Sequence, residues 1–235
     1  MHVRLRAGSL TCRSSSHLLL WFESNGSHRH LRVALPNSSP DVARRSLRAA
    51  LVARRRSVTP GEREHAARLV AANVQRFLKP MAGWRVAAYA ALASELDSAP
   101  LLELLLRRDC EVFLPRIDRP RSARGMRFIP MQGALRRNRL GIDEPQGVRS
   151  IGARWLDLVL LPLVGFDARG VRLGTGGGFY DRAFAFRRFR SGWHAPRLVG
   201  VGYAFQQVSH IDAAAHDVLM DAVITEKGIT RCATG

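Results

Sequence analysis

The stretch LLPLVGFDARGVRLGTGGGFYDR, residues 160–182, indicates the fold of this chain more directly than any other part of it. It begins as an apolar run typical of a buried β-strand, passes through a glycine-rich loop at residues 174–178 and continues as a helical pattern to Phe184. Glycines at such a junction let backbone N–H groups converge on an anion, and the following helix adds its positive end. This order predicts an α/β fold with an anion-binding loop.

Charged residues flank the glycine loop. Arg169 and Arg172 precede it and Asp181 follows it, a combination that suits a nucleotide phosphate chain with its metal ion. The loop matches neither G-x-x-x-x-G-K-[ST] nor the full dinucleotide-binding spacing. On glycine content alone, a tight turn between strand and helix explains it equally well. The neighbouring Arg172, Tyr180 and Asp181 favour phosphate binding.

Strand and helix patterns alternate along the rest of the chain. Predicted strands cover residues 85–90, 111–115, 126–130, 157–162, 198–203 and 222–225, and predicted helices begin near Asp41, Thr59, Ser98 and Gly177. Thr59 and Glu62 have the spacing of a capping box. The alternation predicts a single three-layer α/β domain, in which helices cover both faces of a mostly parallel sheet. Ligands are expected at the carboxyl ends of its strands.

Residues 166–182, FDxxGxRLGxGGGFYDR, resemble the hallmark segment of the 5-formyltetrahydrofolate cyclo-ligase family. RRSLR at 44–48, SELD at 94–97, GIxEP at 141–145, HD at 216–217 and IT at 224–225 are similar to further family segments in the same order. The resemblance runs from Val42 to Ile229. It implies an ATP- and Mg²⁺-dependent ligase of one-carbon metabolism that converts 5-formyltetrahydrofolate to 5,10-methenyltetrahydrofolate and releases ADP and phosphate.

The same resemblance implies a mechanism. The formyl oxygen attacks the γ-phosphorus of ATP to give an iminium phosphate, N10 closes the ring, and phosphate departs. Positioned cations and the metal stabilise charge on the transferring phosphoryl group. The expected partners are therefore 5-formyltetrahydrofolate and ATP. A cytoplasmic location and a monomeric state are separate expectations.

The resemblance also assigns roles to individual residues. It implies catalytic roles for Arg48 and Arg172 and a Mg²⁺ site at Asp181 and Asp217. Folate binding is implied for Ala90, Glu95, Thr175, Gly176, Gly177, Gly178 and Phe179. ATP binding is implied for Arg44, Arg45, Ser46, Leu47, Arg48, Arg172, Leu173, Gly174, Thr175, Gly176, Gly177, Gly178, Phe179 and Tyr180.

Each of these side chains has a structural alternative. Arg44 and Arg48 lie four residues apart on one helix face, where they could clamp phosphates or simply be solvated, as is expected of residues 54–56. Asp181 could complement a helix dipole, and Asp217 could be a solvated loop residue. Glu95 could cap the helix that follows it.

Composition narrows the functional classes. The formal net charge of +18 favours anionic partners, but the arginines are spread along the chain, which argues against a dedicated nucleic-acid patch. Cys12, Cys110 and Cys232 are isolated, so structural zinc is not expected and the compartment is expected to be reducing. No apolar run approaches the ~20 residues of a membrane span. The remaining alternative is a catalytically inactive cyclo-ligase-like module that binds RNA through its arginines.

The first forty residues differ from the rest of the chain. They contain five arginines and a single acid, Glu23, together with many serines and histidines. This composition favours a disordered or mis-started extension over a targeting peptide. The predicted division is therefore residues 1–40 as the extension and residues 41–235 as the α/β domain.

Overall fold

A computed structural model describes residues 4–6, 9–11, 19–25, 28–34, 39–117, 126–132, 135–137, 143–189 and 196–232. The helices are α1 (Pro40–Arg56), α2 (Pro60–Leu78), α3 (Ala99–Arg107) and α4 (Phe179–Ala183). The strands, in chain order, are β1 (Arg4–Arg6), β2 (Ser9–Thr11), β3 (Leu19–Asn25), β4 (His28–Ala34), β5 (Arg85–Ala87), β6 (Glu111–Ile117), β7 (Met126–Pro130), β8 (Leu135–Arg137), β9 (Asp143–Pro145), β10 (Leu158–Pro162), β11 (Gly165–Phe166), β12 (Arg172–Leu173), β13 (Arg197–Val201), β14 (Ala222–Thr225) and β15 (Gly228–Arg231).

Seven strands form the central sheet in the order β15-β14-β13-β10-β5-β6-β7. The five inner strands are parallel to one another, whereas β15 and β7 pair antiparallel with their neighbours at the two edges. The inner strands are almost continuously apolar because both of their faces are covered. The prediction of a mostly parallel sheet in an α/β fold is confirmed.

Helices α2 and α3 cover one face of the sheet. The apolar stripe of α2, which includes Val70 and Val74, packs with the leucines of α3 against the alternate strand residues of that face. The predicted capping box is present, since Thr59 N donates to Glu62 Oε2 at 2.9 Å and Glu62 N donates to Thr59 Oγ1 at 3.3 Å. A local signal in the sequence therefore placed the start of α2 correctly.

The other face has a thinner helical layer than the sequence predicts. The helix expected over residues 177–190 is the five-residue α4, followed by a 3₁₀ helix at Ala185–Phe189. The break coincides with Phe184, which is fully buried against the rings of Phe128, Tyr180 and Phe186. Packing of this ring into the core is favoured over continuation of the helix.

The hairpin of β11 and β12 extends this second layer, and α1 packs on it. Leu47 and Leu51 of α1 form a small apolar cluster with Val164, Val171 and Leu173. Helix α1 therefore lies beside the start of the glycine loop, although the two segments are far apart in the sequence.

The strands that precede α1 pair only locally in the described structure. Strand β1 pairs with β2 and β3 pairs with β4, and the seven-stranded sheet includes none of them. The division of the chain at residue 40 stays a prediction. Cys12 and the start of the motif at 141–145 lie outside the described residues, and Cys110 and Cys232 are buried free thiols. No described helix has the length and apolar character needed to cross a membrane.

Candidate active site

A cavity of about 530 Å³ opens at the carboxyl ends of the central strands. Its wall combines the segments that follow β5 and β10, one side of α1, the glycine loop and the loop before β14. This is the edge of the sheet where the sequence predicts a ligand. The lining includes these predicted site residues: Arg44, Arg48, Ala90, Glu95, Arg172, Gly174, Thr175, Gly176, Gly177, Gly178, Phe179, Tyr180, Asp181 and Asp217.

The glycine loop depends on backbone conformations that favour glycine. Gly176 has a φ of 104° and Gly178 a φ of 60°, both in the region that side chains with a Cβ rarely adopt. Gly178 occupies the N-cap position of α4. Because α4 is only five residues long, its dipole contributes little, and the positive charge around the loop comes mainly from arginine side chains.

Two arginines of α1 project into the cavity from consecutive turns. Arg48 Nε donates to the carbonyl oxygen of Gly174 at 2.8 Å, which ties α1 to the loop. Burial lowers the pKa of Arg48, and repulsion from Arg44 and Arg45 lowers it further. Clustered guanidinium groups of this kind attract a polyanion, because its charge relieves their mutual repulsion.

Arg172 lies deeper in the wall and is only 8% exposed. Its Nη2 donates to Asp181 Oδ2 at 3.1 Å, and its guanidinium group lies 5.3 Å from the centre of the Tyr180 ring. Tyr180 in turn stacks on the core residue Phe184, and burial raises the pKa of its hydroxyl. Contacts with Asp181 and Tyr180 therefore orient the Arg172 side chain.

The two predicted metal acids come together in the fold. Val218 N, next to Asp217, donates to Asp181 Oδ1 at 3.3 Å. Asp217 Oδ2 accepts hydrogen bonds from Arg44 Nη1 at 2.8 Å and from Ala214 N at 2.9 Å. Each carboxylate thus pairs with an arginine of the cavity, and Asp217 is not a solvated loop residue.

The donor chemistry of these acids fits Mg²⁺ as part of a larger ligand set. Within the described ranges, no group of three or more His, Cys, Asp or Glu side chains could hold a metal ion alone. Mg²⁺ commonly takes one or two carboxylates together with substrate phosphate oxygens and water. Asp181 and Asp217 match that requirement if a nucleotide supplies the other oxygens.

Glu95 lies in the cavity wall and is 7% exposed. Its Oε2 accepts a hydrogen bond from Leu92 N at 3.1 Å. Burial raises the pKa of Glu95, and this backbone N–H and the charge of Arg55 partly oppose the rise. The helix-capping alternative is wrong, since Asp97, and not Glu95, accepts a hydrogen bond from the first residue of α3, Ala99.

Four residues of the predicted ATP set do not line the cavity. Arg45 points to solvent, and Ser46 lies outside the wall although it is part of the same turn. Leu47 and Leu173 are buried in the apolar cluster between α1 and the β11–β12 hairpin. For the three residues on α1 the helical period accounts for this, because residues between Arg44 and Arg48 turn away from the face that these two share.

Two residues with a role at this site have no part in the predicted set. Arg55 was expected on a solvated basic face but is only 5% exposed, and it lies on the face of α1 that carries Arg48 and Leu51. Arg55 follows Leu51 by four residues and Arg48 by seven, and this helical spacing was a signal in the sequence that Arg55 shares their face. Asp167 is fully buried and accepts hydrogen bonds from Arg169, Val171 and Ile211.

Asp167 connects two walls of the cavity. Its Oδ1 accepts from Arg169 N and Val171 N in the β11–β12 turn, and its Oδ2 accepts from Ile211 N in the segment that leads to Asp217. Arg169, expected to flank a phosphate, instead donates to Asp167 and to the carbonyl oxygen of Ile211. Asp167 and Arg169 therefore connect the β11–β12 turn to the segment at Ile211.

Several known proteins similar to this chain belong to one family. A model of the 5-formyltetrahydrofolate cyclo-ligase family matches residues 40–226. A 5-formyltetrahydrofolate cyclo-ligase of Escherichia coli K12 is 35% identical over 178 residues, which cover 73% of this chain and 94% of that protein. A probable 5-formyltetrahydrofolate cyclo-ligase of Caenorhabditis elegans is 30% identical over 151 residues, covering 60% of this chain and 72% of that protein.

Solved structures agree with the fold. The NMR structure of 5,10-methenyltetrahydrofolate synthetase from Aquifex aeolicus is 27% identical, has a TM-score of 0.65, and covers 82% of this chain and 94% of its own. A 5,10-methenyltetrahydrofolate synthetase from Mycoplasma pneumoniae, at 22% identity and a TM-score of 0.61, covers 78% of this chain and 98% of its own. The second likeness supports the fold alone.

Proposed function

The chain belongs to the 5-formyltetrahydrofolate cyclo-ligase family, and we propose that its cavity binds 5-formyltetrahydrofolate and ATP and closes the ring to 5,10-methenyltetrahydrofolate, with release of ADP and phosphate. The main support is that one cavity combines the glycine loop, three arginines, two adjacent aspartates and a buried glutamate. A phosphoryl acceptor and a phosphoryl donor must meet in one enclosed space for this reaction.

The arginines supply the phosphate-binding half of the proposed site. Planar guanidinium groups can form two parallel hydrogen bonds to phosphate oxygens, and Arg44, Arg48 and Arg172 reach the cavity from two directions. Arg172 needs little reorganisation because Asp181 and Tyr180 already hold it. Fixed positive charge of this kind stabilises the charge that develops on a transferring phosphoryl group.

Asp181 and Asp217 would hold Mg²⁺, which neutralises charge on nucleotide phosphate oxygens when it is bound. In the structure both carboxylates pair with cavity arginines. Phosphate oxygens compete for the same guanidinium groups, so binding of a nucleotide is expected to free carboxylate oxygens for the metal. The ion pairs with Arg44 and Arg172 hold the two aspartates in place and leave neither acid unpaired.

Glu95 supplies the folate-binding half. A pterin ring carries several N–H donors, and an ionised carboxyl group accepts such hydrogen bonds strongly when it is shielded from water. The carboxylate is oriented by the N–H of Leu92. Ala90 lies on the same side of the cavity, where its backbone and small side chain would contact the ring.

The direct test is product formation, followed as the absorbance of 5,10-methenyltetrahydrofolate after addition of 5-formyltetrahydrofolate, ATP and Mg²⁺. We expect turnover by the full chain and a fall in kcat of about 100-fold in Arg172→Lys, because the point charge cannot reproduce the two-pronged geometry. Arg68→Lys is the matched control, since Arg68 forms an exposed ion pair with Glu64 on α2.

Absence of turnover in a folded full-length chain would refute the proposed reaction. The RNA-binding alternative predicts that outcome together with RNA affinity that falls steeply with salt. A monomeric state and a cytoplasmic location also stay predictions, and gel filtration and fractionation would test them.

A further inference from the structure

A buried arginine lies behind the folate half of the proposed site. Arg55, in the last turn of α1, is 5% exposed, and its neighbours Arg54 and Arg56 are both exposed. Charged side chains are seldom buried unless they are paired and hydrogen-bonded. Arg55 also does not line the cavity. Its burial therefore calls for a role other than ligand contact.

The Arg55 guanidinium group joins three parts of the fold. Nη1 donates to the carbonyl oxygen of Leu163 at 3.3 Å, and Nη2 donates to Ser94 Oγ at 3.2 Å. Nη1 also lies 3.9 Å from Glu95 Oε1. One side chain thus connects α1, the segment after β10 and the loop that carries Glu95.

The segment after β10 is held firmly enough to serve as an anchor. Gln206 Nε2 donates to the carbonyl oxygens of both Leu163 and Val164 at 2.8 Å. Its Oε1 accepts a hydrogen bond from Tyr203 N at 2.7 Å. Arg55 therefore fixes the Glu95 loop against a part of the core that has little freedom to move.

We propose that Arg55 is a positioning residue that holds the Glu95 carboxylate in its folate-binding orientation. Leu92 N–H constrains Oε2 and Arg55 faces Oε1, so the two carboxylate oxygens are oriented from opposite sides. The inference rests on the proposed function, because it assumes that Glu95 contacts the folate.

The charge of Arg55 also bears on the protonation of Glu95. Burial raises the pKa of Glu95 and the Arg55 charge opposes that rise. The other titratable groups that face this carboxyl, Tyr89 and Tyr180, have hydroxyl pKa values raised by burial and are neutral near pH 7. Loss of Arg55 should therefore let Glu95 take up a proton at a higher pH than in the parent chain.

The test compares Arg55→Met with Arg56→Met, an exposed neighbour in the same helical turn, in the product-absorbance assay. We expect Arg55→Met to raise the KM for 5-formyltetrahydrofolate about tenfold while the KM for ATP changes less than about twofold, because the affected loop contacts only the folate. The acid limb of kcat/KM for the folate should move to higher pH. Arg56→Met should change neither quantity.

Two further variants keep the proposal testable if Arg55→Met fails to fold. Ser94→Ala removes one partner of Arg55 and should raise the folate KM a few-fold without changing the ATP KM. Arg55→Lys keeps the charge but not the forked geometry, so its acid limb should stay close to that of the parent while the folate KM rises.

The outcomes separate this inference from the proposed function. A folded parent chain without turnover would refute the proposed function. An active parent together with an unshifted acid limb, or with equal changes in both KM values, would show that Arg55 only stabilises the fold and would overturn the inference. An unchanged folate KM in Ser94→Ala would also overturn it.

Discussion

Replacement of Asp167 by asparagine tests whether one buried carboxylate supports the cavity wall. Asp167 is fully buried. Its Oδ1 accepts from Arg169 N at 3.0 Å and Val171 N at 3.1 Å, and its Oδ2 accepts from Arg169 Nε at 3.1 Å, Arg169 Nη2 at 2.7 Å and Ile211 N at 3.1 Å. Every hydrogen-bonding neighbour is a donor. Asparagine has almost the same shape, but it must present an NH₂ group either to the donors that face Oδ1 or to those that face Oδ2.

The expected loss of stability follows from the number of hydrogen bonds that the variant loses. In the less disruptive orientation the amide NH₂ faces two backbone N–H groups, so two hydrogen bonds to a charged acceptor disappear and two buried donors lose their partner. Hydrogen bonds to charged groups contribute about 1.5–3 kcal/mol each, which gives a fall in the free energy of unfolding of about 3–6 kcal/mol. Such a fall is a large part of the about 5–15 kcal/mol that stabilises a typical domain.

Urea unfolding followed by tryptophan fluorescence measures this change, and the chain has four tryptophans. Glu103→Gln is the matched control, since Glu103 is 68% exposed and pairs with Arg107 on the surface of α3 at 3.5 Å. An exposed pair of this kind should contribute less than about 1 kcal/mol. Because Ile211 leads to Asp217, the KM for ATP should also rise in Asp167→Asn.

A fall of less than about 1 kcal/mol with an unchanged m-value would refute this reasoning, because it would mean that the two lost hydrogen bonds are replaced at little cost. A large fall in Glu103→Gln as well would show that the measurement does not separate buried from exposed carboxylates.

The remaining predictions concern the metal acids, the loop and the extension. Asp181→Asn and Asp217→Asn should each raise the Mg²⁺ concentration needed for half-maximal turnover, and the double variant should cost less than the sum; additive effects would mean separate sites. Gly176→Val should weaken ATP binding, measured by calorimetry, beyond any loss of stability. Gly228→Val, which imposes a similar strain at a φ of 132° outside the cavity lining, should leave ATP affinity unchanged, and equal affinities in the two variants would mean that the loop is only a turn. A chain that begins at Pro40 should keep its melting temperature and its turnover, and a large loss of either would place residues 1–39 within the functional domain.

Several features of this protein could be predicted from short stretches of sequence. The capping box at the start of α2 and the shared face of Arg44 and Arg48 depend on helical geometry within one or two turns. A glycine-rich loop at 174–178 was also readable from the sequence, but only the structure shows that Gly176 and Gly178 are the two with positive φ values. The resemblance to the family also indicated most of the residues that line the cavity at the carboxyl ends of the strands.

Other features depended on packing across the fold. The run of arginines at 54–56 predicted a solvated face, and this is wrong for Arg55. Its burial depends on contacts with Leu163, Ser94 and Glu95, which lie elsewhere in the chain. The helix after the glycine loop is shorter than its periodicity predicts because Phe184 packs into the core.

The α/β class, the family and the residue types available for catalysis follow from local patterns in the chain, because strand and helix periods, caps and glycine positions are properties of neighbouring residues. Only packing across the fold brings Asp181 beside the Asp217 backbone, pairs each acid with an arginine, and lets Asp167 join two walls of the cavity. These contacts join residues far apart in the chain, and their strength comes from burial, which raises the cost of any unpaired charge.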